Sequence, residues 1–359
     1  MKRSVKVSLK FVTATKRRRL DHLLRRLRRL TNRYIECLWT GEGGLNAATL
    51  NSIPSKLGYR QRSDCLKYAL EIIAATRASA KKLGQDANKP IFKRSFKFSS
   101  LTATVEPGRG SFDFVLKISG LVTGKRIMLP FKSHKRLNYW LAKPGAKLLN
   151  GCIINGEKAV LWIDLPDLPV KSDGDKLGID IGLNKLMVDS DGEIYGTRIK
   201  EICAKVRRKK SGCKGKQRAR RERDQYIRWA VKRLPWSRLK IVAVEQLKNL
   251  KTGKKSNRSK LFRKTIAPWT YCQALERIGQ LAEENRVLVV TINPRGTSRT
   301  CPSCSWEAKA NRVGEKFLCQ VCGYNADADF VGAQNIIAKT ACGNSRQSMV
   351  AESSKTPSM

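Results

Sequence analysis

Two Cys-x-x-Cys pairs, Cys301/Cys304 and Cys319/Cys322, stand fourteen residues apart. Four thiolates in that spacing suit tetrahedral Zn²⁺, and a complete thiolate set leaves no open coordination position, so such an ion would be structural. Disulfide pairing is the competing reading. Eleven cysteines, an odd number, fit a reducing cytoplasm better than a disulfide framework. Cys37, Cys65, Cys152, Cys203, Cys213, Cys272 and Cys342 lack ligand spacing and read as core or surface thiols. Three acids stand out by position. Asp180 interrupts the apolar strand pattern Leu177-Gly178-Ile179-Asp180-Ile181, where a carboxylate is costly unless paired or bound to metal. Glu245 closes the apolar run from Leu239, and Asp329 opens the last helical pattern, shortly before Gly332-Ala333. Each also has a plain reading, as a turn cap or a strand end.

Only two histidines occur, His22 and His134, which excludes an HNH nuclease, a paired-His transposase and a His-Glu-x-x-His protease. Any phosphodiester chemistry must therefore rest on carboxylates and metal. Lys and Arg number 73 against 29 acids, a formal charge of +44 over 359 residues. That excess repels itself in a compact chain and calls for a polyanion, although a ribosomal protein or a solvated basic surface would share it. At 41% hydrophobic the chain can build cores. No apolar run reaches the roughly 18–20 residues that span a bilayer, so no membrane partner is expected. The basic N-terminus has the composition of a transit peptide, but Val5, Val7, Leu9 and Phe11 alternate with Lys6, Ser8 and Lys10 as in a half-buried strand.

The elements that must position these groups follow from periodicity. Leu20, Leu23, Leu24, Leu27 and Leu30 make a helical stripe, and a second helical pattern runs from Gln61 to Leu83. From Ile91 to Ile163 the period becomes two, with a turn at Pro107-Gly108-Arg109-Gly110. With the first strand this suggests a small β-barrel split by a helical insertion. A polar linker, Leu165 to Lys176, separates the halves. Beyond it come a meander carrying Asp180, a strand ending at Glu245, a helix over Pro268 to Asn285, a strand over Arg286 to Ile292 and a helix from Asp327. That order matches an RNase H-like α/β fold, in which strand ends and one helix meet at a site for two Mg²⁺ ions.

Cations crowd two places. Arg17, Arg18, Arg25 and Arg28 belong to the first helical stretch, where Asp21 is the lone acid between Lys16 and Arg33. Arg207, Arg208, Lys209, Lys210, Arg220 and Arg221 belong to the densest run, between the first two acids. A further run covers Lys248 to Lys260. All are candidate nucleic-acid contacts, with a solvated face as the alternative. Trp229, Trp236 and Trp269 could stack on bases or pack in the core.

Gly178-Ile179-Asp180-Ile181-Gly182, Val242-Ala243-Val244-Glu245-Gln246-Leu247 and Asp327-Ala328-Asp329-Phe330-Val331-Gly332-Ala333 resemble the three RuvC motifs of TnpB proteins and the related type V CRISPR effectors, with the cysteine cluster between the second and third as in that family. The resemblance implies an RNA-guided, Mg²⁺-dependent endonuclease that cuts double-stranded DNA beside a short flanking motif. Asp180, Glu245 and Asp329 would be the catalytic metal ligands, with Asp327 as fallback, and Cys301, Cys304, Cys319 and Cys322 the zinc ligands. It implies guide RNA and target DNA as partners, a bacterial or archaeal cytoplasm, and no particular oligomeric state. The architecture it implies is α/β multidomain: an RNase H-like RuvC domain (172–300) with an inserted zinc ribbon (301–322) and a C-terminal helix (323–341). A β-barrel wedge (1–14 and 91–165), interrupted by a helical recognition domain (15–90), would precede it, and a disordered tail (342–359) would follow. Three departures from the pattern stand out: Val331 stands for the usual Asn, Ser305 and Gly296 replace a Gly and an aromatic, and the segment between Asp180 and Glu245 lacks the frequent His-Lys pair and carries Tyr226-Ile227-Arg228 nearby. A guided repressor without cleavage and an unguided resolvase are the rival functions. The first would lack one acid, and the second leaves the basic N-terminal half unexplained.

Overall fold

The alternation at the N-terminus makes strand β1 (Lys2–Ser8), whose Val5 and Val7 face inward opposite Leu161 and Ala159 of β8 (Lys158–Asp164). The computed structural model describes residues 1–41, 44–93, 95–122, 124–247, 270–341 and 345–347, and divides into two units, Met1–Asp167 and Leu168–Met359. In the first unit β1 and β8 belong to a sheet with β7 (Cys152–Asn155), β2 (Phe96–Phe98) and the short β6 (Lys147–Leu148). A separate antiparallel sheet holds β3 (Ala103–Pro107), β4 (Phe114–Ser119) and β5 (Arg126–Phe131). Helix α1 (Ala14–Thr40) lays its leucine stripe, fully buried, against α3 (Tyr59–Leu83), with α2 (Ala47–Asn51) and α4 (Lys135–Leu141) completing the unit. One apolar core unites both sheets and the helices.

The expected barrel does not close among the described residues. Closure requires every strand edge to be paired, but the chain leaves β2 through a turn at Ser99–Thr102 and starts a new sheet. Asp64 of α3 anchors that turn, accepting from Ser99 N at 3.1 Å and from the Thr102 hydroxyl. Isolated bonds such as Gly151 N to Ala103 O, 2.8 Å, join the two sheets without a ladder.

The second unit is built on a six-stranded sheet in the order β11 (Ile194–Tyr195), β10 (Met187–Asp189), β9 (Asp175–Asp180), β12 (Leu239–Glu245), β13 (Leu288–Ile292) and β17 (Ser345–Gln347). β9, β10 and β11 form the antiparallel meander, while β9, β12 and β13 run parallel. Parallel neighbours need long crossovers. Helices α5 (Ile199–Arg208) and α6 (Lys214–Lys232) lie between β9 and β12, and α7 (Tyr271–Asn285) between β12 and β13. Residues 268 and 269, where the sequence pattern begins the α7 helix, lie outside the described set, as does the cationic run over 248–260. Strand alternation gives the sheet two unlike faces. Leu177, Ile179, Val242 and Val244 pack with residues of α6 and α7, while Gly178 and Ala243 face the last helix, α8 (Ala328–Ala341). The cysteine segment carries a three-stranded sheet of β14 (Arg312–Val313), β15 (Lys316–Leu318) and β16 (Asn325–Asp327). Of the tail, Ser345–Gln347 pairs antiparallel with β13 as an edge strand; the rest lies outside the described residues.

Candidate active site

Asp180 ends β9 and Glu245 ends β12. Ile179 and Val244, one residue earlier, are paired in the parallel ladder, so both acids emerge at the carboxyl ends of adjacent strands, where α/β sheets form their crevices. Asp329 stands in the first turn of α8, which crosses the opposite face of β9. Two glycines allow the approach. A Cβ on Gly178 would collide with the Ala333 carbonyl oxygen, and one on Gly332 would lie 3.0 Å from Asp180 Oδ2. A Cβ on Gly182 would be 3.7 Å from Asp329 Oδ2, which places that carboxylate over the residues just after Asp180.

The electrostatics register the convergence. Burial, then repulsion from Glu245 and Asp329, pushes the Asp180 carboxyl up to about 8. Burial also raises Glu245 and Asp329 above the ordinary carboxylate range, against the opposing pull of Arg312. The side chains are held in place. Thr297 donates its hydroxyl to Glu245 Oε1 at 2.5 Å, and Asn335 of α8 fixes the Thr297 loop through bonds to the carbonyls of Thr297 (2.7 Å) and Thr300 (2.8 Å). Arg312 of β14 reaches Asp329 Oδ1 at 3.2 Å. Asp327 is engaged elsewhere. Its Oδ1 accepts from the backbone N–H groups of Asp329 (3.0 Å) and Phe330 (3.3 Å), and Oδ2 meets Lys185 Nζ at 2.5 Å. Although burial opposes ionisation, these donors hold Asp327 below the usual carboxylate range. It is a helix cap, which leaves Asp329 to join the other two acids.

Among the described residues, the four cysteines are the group of three or more metal-binding side chains whose ligand atoms lie within 4.8 Å of one another; the three carboxylates do not close to that span. Cys301 Sγ and Cys322 Sγ are 3.5 Å apart, as are those of Cys304 and Cys319. A tetrahedron of Zn–S bonds about 2.3 Å long sets S···S near 3.8 Å, so the set fits one zinc ion. Cys65 and Cys152 are buried, and burial pushes the Cys65 thiol up to about 12. Val331 is wholly buried in a cluster with Cys301, Phe317, Cys319 and Ala328, so the residue that departs from the third motif packs the cysteine segment against α8. Ser305 adopts φ +62°, the left-handed region that favours the glycine it replaces, and Gly296 adopts φ +77°.

The candidate nucleic-acid contacts fall on both units. On α1, His22, Arg25, Arg26, Arg29 and Arg33 line a groove of about 420 Å³ closed by Pro54 and Leu57. Arg18 is exposed. Arg17 is tied to the Leu9 carbonyl (2.9 Å) and to Glu157 (3.4 Å), and Arg28 is half-buried. In the second unit Arg207, Arg208, Lys209, Lys210, Arg220 and Arg221 are exposed. Arg312, Thr297 and Lys185 had no distinguishing mark in the sequence. Nothing about one cation among 73 basic residues signals contact with an acid seventeen positions away.

Residues 271–336 match the model of the Cas12f1-like TNB domain family. Over 69 residues the chain is 41% identical to the CRISPR-associated endodeoxyribonuclease Cas12f1 of Sulfoacidibacillus thermotolerans, covering 19% of this chain and 16% of that protein. It is 45% identical over 65 residues to the putative RNA-guided DNA endonuclease InsQ of Escherichia coli (strain K12), covering 17% and 16%. Identity to a TnpB-like protein of Aquifex aeolicus (strain VF5) is 36% over 102 residues, covering 27% and 33%. The matched segments thus span a third or less of these relatives. Two solved structures share the fold: a Cas12f1–sgRNA–target DNA complex (TM-score 0.53, 16% identity, 88% of this chain and 81% of that one) and the mini-RNA-guided endonuclease CRISPR-Cas phi3 (TM-score 0.59, 12%, 97% and 93%). The resemblance to TnpB proteins and type V effectors, read from the motifs, is met by these matches. Among the described residues no helix is long and apolar enough to cross a membrane.

Proposed function

We propose that this chain is an RNA-guided DNA endonuclease of the TnpB kind, cutting double-stranded DNA through a RuvC-type carboxylate site. The observation that carries the reading is the meeting of Asp180, Glu245 and Asp329 from three distant motifs, close enough that the second and third acids raise the first. Relatives named as RNA-guided or CRISPR-associated endonucleases support it.

Three carboxylates offer hard oxygen donors and fit Mg²⁺. Asp180, Glu245 and Asp329 would hold such ions, which would supply activation of a water and charge stabilisation at the leaving oxygen. The protein's part is positioning. Asp180, raised the furthest, stands to gain most from a bound cation, and Glu245 and Asp329 would complete the donor set. Thr297 sets the Glu245 carboxylate through its hydroxyl, and Arg312 offsets charge at Asp329. Cys301, Cys304, Cys319 and Cys322 would hold a structural Zn²⁺ and thereby brace Val331, Arg312 and the start of α8.

The basic α1 groove and the cations of α5 and α6 would grip guide RNA and the displaced or paired strands, while guide pairing selects the target beside a short motif. In that reading 1–14 and 91–165 form the wedge, 15–90 the recognition insert, 172–300 with 323–341 the RuvC domain and 301–322 the zinc ribbon. The protein would act in a bacterial or archaeal cytoplasm. A repressor that only binds would be expected to lack an acid, and all three are present.

Purification from cells with sequencing of bound RNA, followed by a Mg²⁺-dependent cleavage assay using that RNA, tests the proposal. Asp180→Ala should abolish cutting and keep RNA binding. Continued cutting by that variant overturns the site, and purification without a discrete RNA overturns guide dependence.

A further inference from the structure

Helix α6 separates the tryptophans that the sequence left open. Trp236 is buried and donates Nε1–H to the Val231 carbonyl at 3.0 Å, so it is a core residue. Trp269 lies outside the described residues. Trp229 is 51% exposed, because the inward face of α6 is taken by Ala219, Arg223, Ile227, Ala230 and Val231.

The exposed indole is held in a defined attitude. Its ring stacks on Tyr226 with centroids 5.4 Å apart and planes 24° apart, and the Tyr226 hydroxyl accepts a hydrogen bond from Arg198 N at 3.1 Å. The Arg233 guanidinium lies 5.0 Å from the Trp229 ring centroid. A large aromatic is thus stacked on a neighbouring ring and overlain by Arg233, an exposed cation that can swing away.

The surrounding charge is one-sided. The two acids of α6 are already paired, Glu222 with Lys205 at 2.6 Å and Asp224 with Arg223 at 2.7 Å. Among the described residues, Arg218, Arg220, Arg221, Arg228 and Lys232 have no carboxylate partner. The partner that satisfies a flat apolar face amid unpaired cations is itself flat and anionic along its edge.

We infer that Tyr226, Trp229 and Arg233 form a stacking platform for an unpaired nucleobase of a single-stranded nucleic acid. The base takes the indole face that Arg233 covers, the guanidinium moves out to a phosphate, and Arg228 and Lys232 hold the neighbouring backbone. This rests on the nucleic-acid reading above but not on cleavage.

The test uses the full chain without added Mg²⁺ and fluorescent oligonucleotides of roughly ten nucleotides, about one single-strand site. Single-stranded RNA, single-stranded DNA, a duplex of the same sequence and polyglutamate competitor form the arms. Trp229→Ala should weaken single-strand binding roughly 5- to 150-fold, the effect of losing one stacked base. It should leave duplex binding and the slope of affinity against salt unchanged, since no phosphate contact is removed. Trp229→Phe should bind nearly as the parent, and Trp229→Leu, which keeps apolar bulk without a ring, should behave as Ala; this pair decides the matter if the Ala variant folds poorly. Whichever of RNA and DNA shows the loss identifies the strand. Equal single-strand binding by parent and Leu variant, or a parallel loss on duplex, overturns the platform, and displacement of the oligonucleotide by polyglutamate in a Trp229-dependent way overturns it in favour of an acidic protein. If guided cleavage fails while Trp229-dependent binding persists, the endonuclease reading alone is lost.

Discussion

Replacing Asp180 by Asn should make the metal-free protein more stable, and the size of the gain follows from the site. Aspartate ordinarily ionises near 3.8, whereas burial and the neighbouring Glu245 and Asp329 carry this one to about 8. Between those values the native state holds a proton that the unfolded chain has released, so stability falls as pH rises through the window and levels off above the native value. At 1.36 kcal/mol per unit, the carboxyl opposes folding by on the order of 5 kcal/mol at pH 8 and about a third of that at pH 5. Asn has the same shape, does not titrate and can donate to an adjacent carboxylate. The Asn variant should therefore melt on the order of 10 °C above the parent at pH 8, at roughly 2–4 °C per kcal/mol, with the gap narrowing steadily towards pH 5. On the proposed function the ionised native site would hold a divalent cation, so Mg²⁺ should raise the parent's melting temperature more than the variant's and shrink the gap. Differential scanning fluorimetry across pH, with and without Mg²⁺, measures all three. An absent gap, or one that widens towards acid pH, refutes the claim that three acids crowd one site.

The glycines make a second prediction. Gly332→Ala brings a methyl group to 3.0 Å from Asp180 Oδ2 and 3.3 Å from Cγ, so the carboxylate must yield by a few tenths of an ångström. Guided cleavage should drop by roughly tenfold or more, because misplaced reacting groups are penalised steeply, while melting changes little; parental cleavage rates would refute the packing argument. Removing the metal that the four cysteines would hold makes a third. Elemental analysis should find one zinc per chain, and Cys301→Ser or a thiol-matched chelator should lower the melting temperature of the second unit and abolish cutting while RNA binding by the α1 groove survives. A zinc-free chain that cuts as well as the parent would disprove the brace.

Much of this was legible because spacing and alternation carry it. The cysteine pairs announce their cluster by distance along the chain, and Asp180 declares itself as a charge inside an apolar strand. The two faces of the central sheet follow from Leu177, Ile179, Val242 and Val244 alternating with Gly178 and Ala243. The barrel was not legible. Alternation says which residues face a core, but whether strand edges meet depends on turns such as Ser99–Thr102, pinned by Asp64 from a helix more than thirty residues earlier. The part played by Arg312 was hidden for a similar reason, since its contact with Asp329 arises only when the cysteine segment folds back on α8. Trp229 and Trp236, seven residues apart, looked equivalent until α6 showed the first to the solvent and the turn after it buried the second against the Val231 carbonyl. The edge strand at Ser345–Gln347 has no apolar alternation, and its pairing is set by the open side of β13.

The third acid comes late. The first unit has its own core within residues 1–167, so it can fold while the rest is still being made, whereas Asp329 leaves the ribosome 162 residues after that unit ends. At 5–20 residues per second the lag is roughly 10–30 s. Throughout it the nascent chain displays the arginine groove of α1 without a complete set of carboxylates. Under the proposed function, a newly made molecule would meet its polyanion before its set of carboxylates is complete, so chain order would favour loading before cutting.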